Sequence, residues 1–342
     1  MDEEGIKREI IKNYGDCKLC PWECRINRFK EKGVCKLGVQ SNIFYEGVIY
    51  GEELSIVPTY AIFFAGCNMK CIFCEYGEYQ ENPGNVCAKS LSKVLKRIKE
   101  MGNGYASISF IGGEPSIHPL NIYKIISKCQ SKNIKKVLNT NLYFNKINRE
   151  LLDEMIDIYI GDIHFGNDDC AEKLSGAINY TELVLNNVKA IYHSKKKLII
   201  RHLLLPGHID CCFKPIVNYL VENGIVDNFN LLTNYLPWHK ARSYGNMGRM
   251  ITEVEKDVAK EILYRNGIKL VLDEYSEARE IGSNIEEDEH EIIIDSEGRI
   301  IIPYLTGEMV MLAGELVPDD PNIVRIKKIL ERKQNDDKTN RA

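Results

Sequence analysis

The stretch FFAGCNMKCIFCEYG, residues 63–77, carries Cys67, Cys71 and Cys74, separated by three and then two residues directly after an apolar run. Three thiolates on one loop can hold zinc with an open fourth position, or an iron–sulfur cluster in which one iron lacks a protein ligand. Packing as small apolar residues is the plain alternative. Free thiols crowded just past a buried strand argue against it. A second set, Cys17, Cys20, Cys24 and Cys35, lies in CKLCPWECRINRFKEKGVCKLG, with gaps of two, three and ten residues. So short a polar segment has too few apolar residues to fold by itself, so four thiols there point to a metal: a zinc knot or an auxiliary 4Fe-4S cluster.

Further groups with chemical potential follow at intervals. In GGEPS, Gly112 and Gly113 let the backbone approach a ligand closely, and Glu114 can accept hydrogen bonds from an amino group. Asn139 and Asn141 in NTN can reach ribose or carboxylate oxygens, and Asp162 and Arg201 are further charged candidates. His164, His208 and His239 each read equally well as a hydrogen-bonded rim residue or a chemical one. The pair Cys211-Cys212 is a candidate hydrogen-atom donor as well as an ordinary helix start. Cys87, Cys129 and Cys170 stand singly and read as core residues.

The elements that position these groups follow from apolar periodicity. Residues 61–66, 105–113, 135–141, 157–163, 197–205 and 228–235 read as six strands, with amphipathic segments such as residues 89–101 between them. Parallel strands need crossover helices, so the alternation predicts an α/β fold, a partial (β/α)6 TIM-type barrel. The polar clusters fall at the C-terminal ends of the strands, the rim on which barrels build their sites. Residues 1–55 form a cysteine-rich N-terminal extension with little periodicity, residues 56–270 the barrel, and residues 271–342 a C-terminal extension. That last piece holds an acidic stretch, a hairpin around Ser296-Glu297-Gly298 and a tail expected to be disordered.

Composition sets the outer limits. The net charge of -4, with basic and acidic residues interspersed, argues against a dedicated nucleic-acid surface. The N-terminus is charged, without an apolar export core, and no apolar run approaches the roughly 18 residues of a membrane span. A cytoplasmic protein is expected, and its twelve cysteines are then ligands and buried thiols rather than disulfides.

The residues Cys67, Cys71, Phe73 and Cys74 resemble the CxxxCxφC signature of the radical S-adenosylmethionine (SAM) superfamily. The resemblance implies a 4Fe-4S cluster whose fourth iron is chelated by the amino and carboxylate groups of SAM, which is cleaved to a 5′-deoxyadenosyl radical. It places Phe73 near the adenine, the GGEP residues Gly112, Gly113 and Glu114 at the methionyl group, and Arg201 at the cofactor carboxylate. VLNTNLY, DIYIGDIHFGND, IIRHLLLPGHIDCC and LLTNYLPWHKA are similar to a branch like pyruvate formate-lyase activating enzyme. Where activating enzymes carry Asp-x-Lys, this chain has Asp162-Ile163-His164. The implied activity is hydrogen abstraction from a protein or peptide, with a reduced ferredoxin or flavodoxin as electron donor. A radical enzyme acting on a small molecule and a non-catalytic iron–sulfur electron carrier are the alternatives.

Overall fold

The computed structural model describes residues 1–271 except positions 50, 51, 54, 103, 130–133 and 195, together with residues 293–294 and 300–301. The acidic stretch, the turn at Ser296-Glu297-Gly298 and the C-terminal tail lie outside the described residues. The chain divides into two compact units, residues 1–278 and 279–342.

The first unit is built on one sheet of seven strands in chain order: β1 (Ile43–Ile49), β2 (Thr59–Phe64), β3 (Ser107–Gly112), β4 (Lys135–Thr140), β5 (Ile158–Asp162), β6 (Lys197–Leu203) and β7 (Phe229–Leu232). β1 runs antiparallel to β2, and every later pairing is parallel. The sheet does not close, so β1 and β7 are its edges. Six parallel strands joined by helical crossovers make the expected partial barrel, with β1 as an addition. The helices are α1 (Glu3–Gly15), α2 (Gly77–Glu81), α3 (Leu91–Met101), α4 (Pro119–Ile126), α5 (Lys146–Asp153), α6 (Asp168–Ser175), α7 (Tyr180–Tyr192), α8 (Lys214–Glu222) and α9 (Glu253–Arg265). None of the described helices is long and apolar enough to cross a membrane.

Two of these elements lie where the sequence was expected to be irregular. α1 starts at an Asp2 cap, carries Glu3 and Glu4 in its first turn, and buries Ile6, Ile10 and Tyr14 one turn apart. β1 escapes the alternation rule because its register with β2 shifts between Ile43 and Tyr45, so its burial does not alternate. Among the three single cysteines, Cys87 is exposed, which corrects its reading as a core residue. It sits in the stretch before α3, outside the packed layers.

The two faces of the sheet have different tasks. Ile62, Phe64, Ile108, Phe110, Leu138, Tyr159 and Ile200 pack under the helices in the main core. The alternate residues Val137, Ile158, Ile160 and Ile199 face the other way and form a second cluster with Ile56. Strand register then continues that inner face toward the C-terminal ends: Asn139 pairs with Ile160, Asp162 with Arg201, and Arg201 with Asn230. The polar candidates are thus the last inward residues of their strands. In the second unit, β8 (Ile293–Ile294) and β9 (Ile300–Ile301) pair antiparallel.

Candidate functional site

Cys67, Cys71 and Cys74 sit on the loop that leaves β2, and all three are largely withdrawn from solvent. Several elements hold that loop by its backbone. Lys70 N–H donates to Ser175 O (2.7 Å) and Ile72 N–H to Leu174 O (2.9 Å) at the end of α6, while Ala241 N–H, after β7, donates to Ile72 O (2.9 Å). The loop is therefore shaped by parts of the chain far from it in sequence. Cys67 Sγ faces the backbone N–H of Met69 (3.4 Å) and Asn141 Nδ2 (3.7 Å), donors that suit a thiolate. Burial pushes the Cys67 and Cys71 thiols well above the usual thiol range and Cys74 up to about 12. In the absence of a metal these groups keep their protons.

The glycines of GGEP first serve the protein's own backbone. Gly112 has φ +109°, and a Cβ there would stand 2.6 Å from Phe64 O; a Cβ on Gly113 would stand 2.2 Å from Gly66 O. Their absence of side chains lets the end of β3 pass directly under the start of the cysteine loop, sealed by Gly113 N–H to Phe64 O (2.7 Å) and Glu114 N–H to Gly66 O (2.9 Å). Glu114 is fully buried. Its Oε1 accepts from Ser116 N–H (2.9 Å) and Thr140 Oγ1 (2.6 Å), and its Oε2 from Asn141 N–H (2.8 Å). Desolvation still raises its pKa above the ordinary carboxylate value, against the lowering effect of those bonds. Asn141 in turn bonds Asn68 (2.9 Å), next to Cys67, so Glu114, Asn141 and the cysteine loop form one connected structure.

Further along the rim, Arg201 is engaged by two carboxylates that sequence reading did not single out. Its Nε and Nη2 each donate to Glu53 at 2.7 Å, and Nη2 also bonds Glu52. Asn230 Nδ2 donates to the same Glu53 (3.1 Å). Glu53 is buried, and although desolvation opposes it, the Arg201 charge holds its carboxyl below the usual range. Glu52 and Asp162 go the other way: burial raises both, Asp162 to about 7, despite the attraction of Arg201. The charge pair Arg201–Glu53 thus dominates, with two further acids held toward the neutral form. Asn139 lies half-buried on the inner face one strand before Asp162. A pair of adjacent glutamates just before a strand was the available signal for this network, but nothing local says that they fold back onto β6.

His164 places its ring edge-on to Phe73, with centroids 5.5 Å apart and planes at 88°. Its backbone N–H donates to Tyr180 OH (3.1 Å), and burial lowers its pKa to about 4, so the imidazole is neutral. Its Nδ1 is buried with no hydrogen-bond partner among the described residues, and so is Asn234 Oδ1 beyond β7. His239 lies against Gly77, immediately after the cysteine loop, where a Cβ would meet its ring at 2.5 Å. The N-terminal cysteines seat beside the same loop: Trp22 Nε1 donates to Asn68 O (2.7 Å), and Asn145 Nδ2 to Cys20 O (3.1 Å). Gly33 packs between Cys24 and Cys35, its Cβ position 3.2 Å and 3.7 Å from their sulfurs. Burial pushes the Cys20 thiol up to about 12, and Cys35, Cys17 and Cys24 lie close enough to act on it electrostatically. Cys211 and Cys212 stand apart from these groups, gathered with His208 and Cys170.

The residues present fit a 4Fe-4S cluster with bound SAM. The donors are three soft sulfurs from one loop, with N–H groups directed at Cys67, a locked carboxylate behind them, and an orphaned buried imidazole nitrogen beside Phe73. Comparison with known proteins agrees. The family model described as the radical SAM superfamily matches residues 61–220. The chain is 34% identical over 280 residues to an uncharacterised protein of Methanocaldococcus jannaschii, covering 78% of this chain and 80% of that one. It is 25% identical over 173 residues to the 4-hydroxyphenylacetate decarboxylase activating enzyme of Clostridioides difficile, 46% of this chain and 51% of that enzyme. Over 154 residues it is 25% identical to pyruvate formate-lyase 1-activating enzyme of Escherichia coli, 43% of this chain and 61% of that enzyme.

Proposed function

Because the chain belongs to the radical SAM superfamily, we propose that it is a radical SAM enzyme whose substrate is a protein or peptide from which it removes a hydrogen atom. When bound, the cluster and SAM supply one-electron cleavage of the sulfonium bond and with it a 5′-deoxyadenosyl radical. Cys67, Cys71 and Cys74 hold the cluster, and their loop is kept in shape by α6 and by the segment at Ala241. Glu114 and Asn141 fix the methionyl end; Phe73 and His164 form the wall at the adenine. Asn139, Asp162 and Arg201 line the inner face next to them, with Arg201 oriented by Glu53. A reduced ferredoxin or flavodoxin delivers the electron, and the four N-terminal cysteines hold zinc or an auxiliary cluster. The protein works in the cytoplasm, where its thiols stay reduced.

The observation that carries the reading is the set of three thiols on the loop after β2, Cys67 and Cys71 buried and Cys74 half-buried, close to the locked Glu114 carboxylate. The macromolecular substrate draws on two relatives whose names make them activating enzymes of a decarboxylase and a lyase. The test is 5′-deoxyadenosine formation by anaerobically reconstituted protein with dithionite. Wild type is expected to form it, and Cys71→Ala to lose both activity and cluster iron. A wild type that holds its iron yet leaves SAM intact would overturn the enzyme assignment.

A further inference from the structure

The geometry points to a zinc site outside the cofactor centre, formed by Cys170, His208, Cys211 and Cys212. The four side chains come from the first turn of α6 and from the turn after β6, about forty residues apart in the chain, yet their ligand atoms all lie within 4.8 Å of one another. His208 Nδ1 is 3.6 Å from Cys170 Sγ, 3.3 Å from Cys211 Sγ and 3.7 Å from Cys212 Sγ. Cys170 Sγ and Cys211 Sγ are 3.8 Å apart, and Cys211 Sγ and Cys212 Sγ 3.9 Å. A tetrahedral ion with metal–sulfur bonds of about 2.3 Å and metal–nitrogen bonds of about 2.0–2.1 Å sets its donors about 3.8 Å (sulfur–sulfur) and about 3.5 Å (sulfur–nitrogen) apart. The observed edges scatter around those lengths. A cubane cluster interposes several atoms between its thiolates, so spacings this short fit a single ion. Three sulfurs with one imidazole and tetrahedral edges select zinc among the biological divalent metals.

Local structure is arranged to make this set. Residues Ile209–Phe213 form one turn of π-helix, with Cys212 N–H and Phe213 N–H both bonded to His208 O (3.0 and 3.1 Å), and this wide turn presents His208, Cys211 and Cys212 to one point. Cys170 arrives from the first turn of α6. Asn167 caps that helix by accepting from Cys170 N–H (2.8 Å), and its Nδ2 donates to Cys211 O (2.6 Å) and faces Cys170 Sγ (3.2 Å). An N–H directed at a ligating sulfur is a recurring outer contact of metal sites. Gly166 completes the approach, since a Cβ there would stand 2.2 Å from Cys212 O. Four protein donors leave no open coordination position, so the ion is structural: it ties the loop carrying His164 and Phe165 to the turn after β6.

The test is metal analysis and zinc K-edge absorption on the full chain purified anaerobically. Zinc is read as a difference between variants, so that any held by the N-terminal cysteines cancels. Cys170→Ser with Cys211→Ser is expected to lose one zinc per chain, iron being unchanged, while Cys129→Ser keeps all of it. His208→Cys, which preserves four donors, keeps the zinc and shifts its shell from three sulfurs and one nitrogen to four sulfurs, which also decides the matter should the double variant fail to fold. Unchanged zinc in the double variant, loss of iron in its place, or an unchanged shell in His208→Cys would overturn the site.

Discussion

Glu114 shows how a single residue serves the site through the fold. Its three hydrogen bonds come from Ser116, Thr140 and Asn141, all of which require an acceptor. Glutamine presents one oxygen and one amide nitrogen, so Glu114→Gln leaves at least one buried donor facing another donor. We expect a loss of about 1–3 kcal/mol of stability, read in chemical denaturation, together with weaker SAM binding in equilibrium dialysis. A conservative change with undiminished stability would show that the carboxylate is not the anchor described. Arg201 makes a similar case through charge. Arg201→Met strands Glu53 in a buried position, at a cost of about 3–5 kcal/mol. Adding Glu53→Leu removes that stranded charge, so the double variant should be more stable than the sum of the two single losses. Additive losses would mean that the two side chains do not act on each other.

At the scale of elements, the most demanding contact is the passage of β3 beneath the cysteine loop. Gly113→Ala puts a methyl group 2.2 Å from a backbone oxygen that cannot move without displacing Gly66. The variant is expected to retain little reconstituted iron, whereas Gly15→Ala, with open space around its Cβ position, should match wild type in iron content and circular dichroism. Equal iron in both would separate the glycine pair from cluster binding. Element identity was largely readable beforehand. The six parallel strands were visible because buried parallel strands are near-continuous apolar runs, and Cys67, Cys71 and Cys74 because they share one loop. α1 carries a local signal, Ile6, Ile10 and Tyr14 repeating every four residues behind an aspartate cap, inside a segment whose cysteines have no periodicity of their own. β1 was hidden by its register shift. The Glu52 and Glu53 partnership with Arg201, and the meeting of Cys170 with His208, depend on which loops become neighbours on the rim. Local pattern carries no such information.

For the whole molecule, the buried acid Asp162 makes stability depend on pH. In the unfolded chain an aspartate ionises near ~4, whereas in the folded protein Asp162 does so at about 7. The native state therefore binds the extra proton between these values, and stability from this group is complete at low pH and is lost as pH rises through about 7. Asp162→Asn does not titrate, so its melting temperature should gain on that of wild type from pH 5 to pH 8, by about 5 °C, and then level off. A difference that stays flat with pH would place the carboxyl in a solvated environment. The fold also sets an order of events during synthesis. The loop of Cys67, Cys71 and Cys74 takes its shape from Leu174, Ser175 and Ala241, the last of which is made roughly 170 residues after Cys74. At about 5–20 residues per second, that gap lasts on the order of ten seconds or more. Throughout it the nascent chain presents three thiols on an unfinished loop, and under the proposed assignment of these thiols to a cluster, iron and sulfide are expected to be taken up only after translation has passed Ala241.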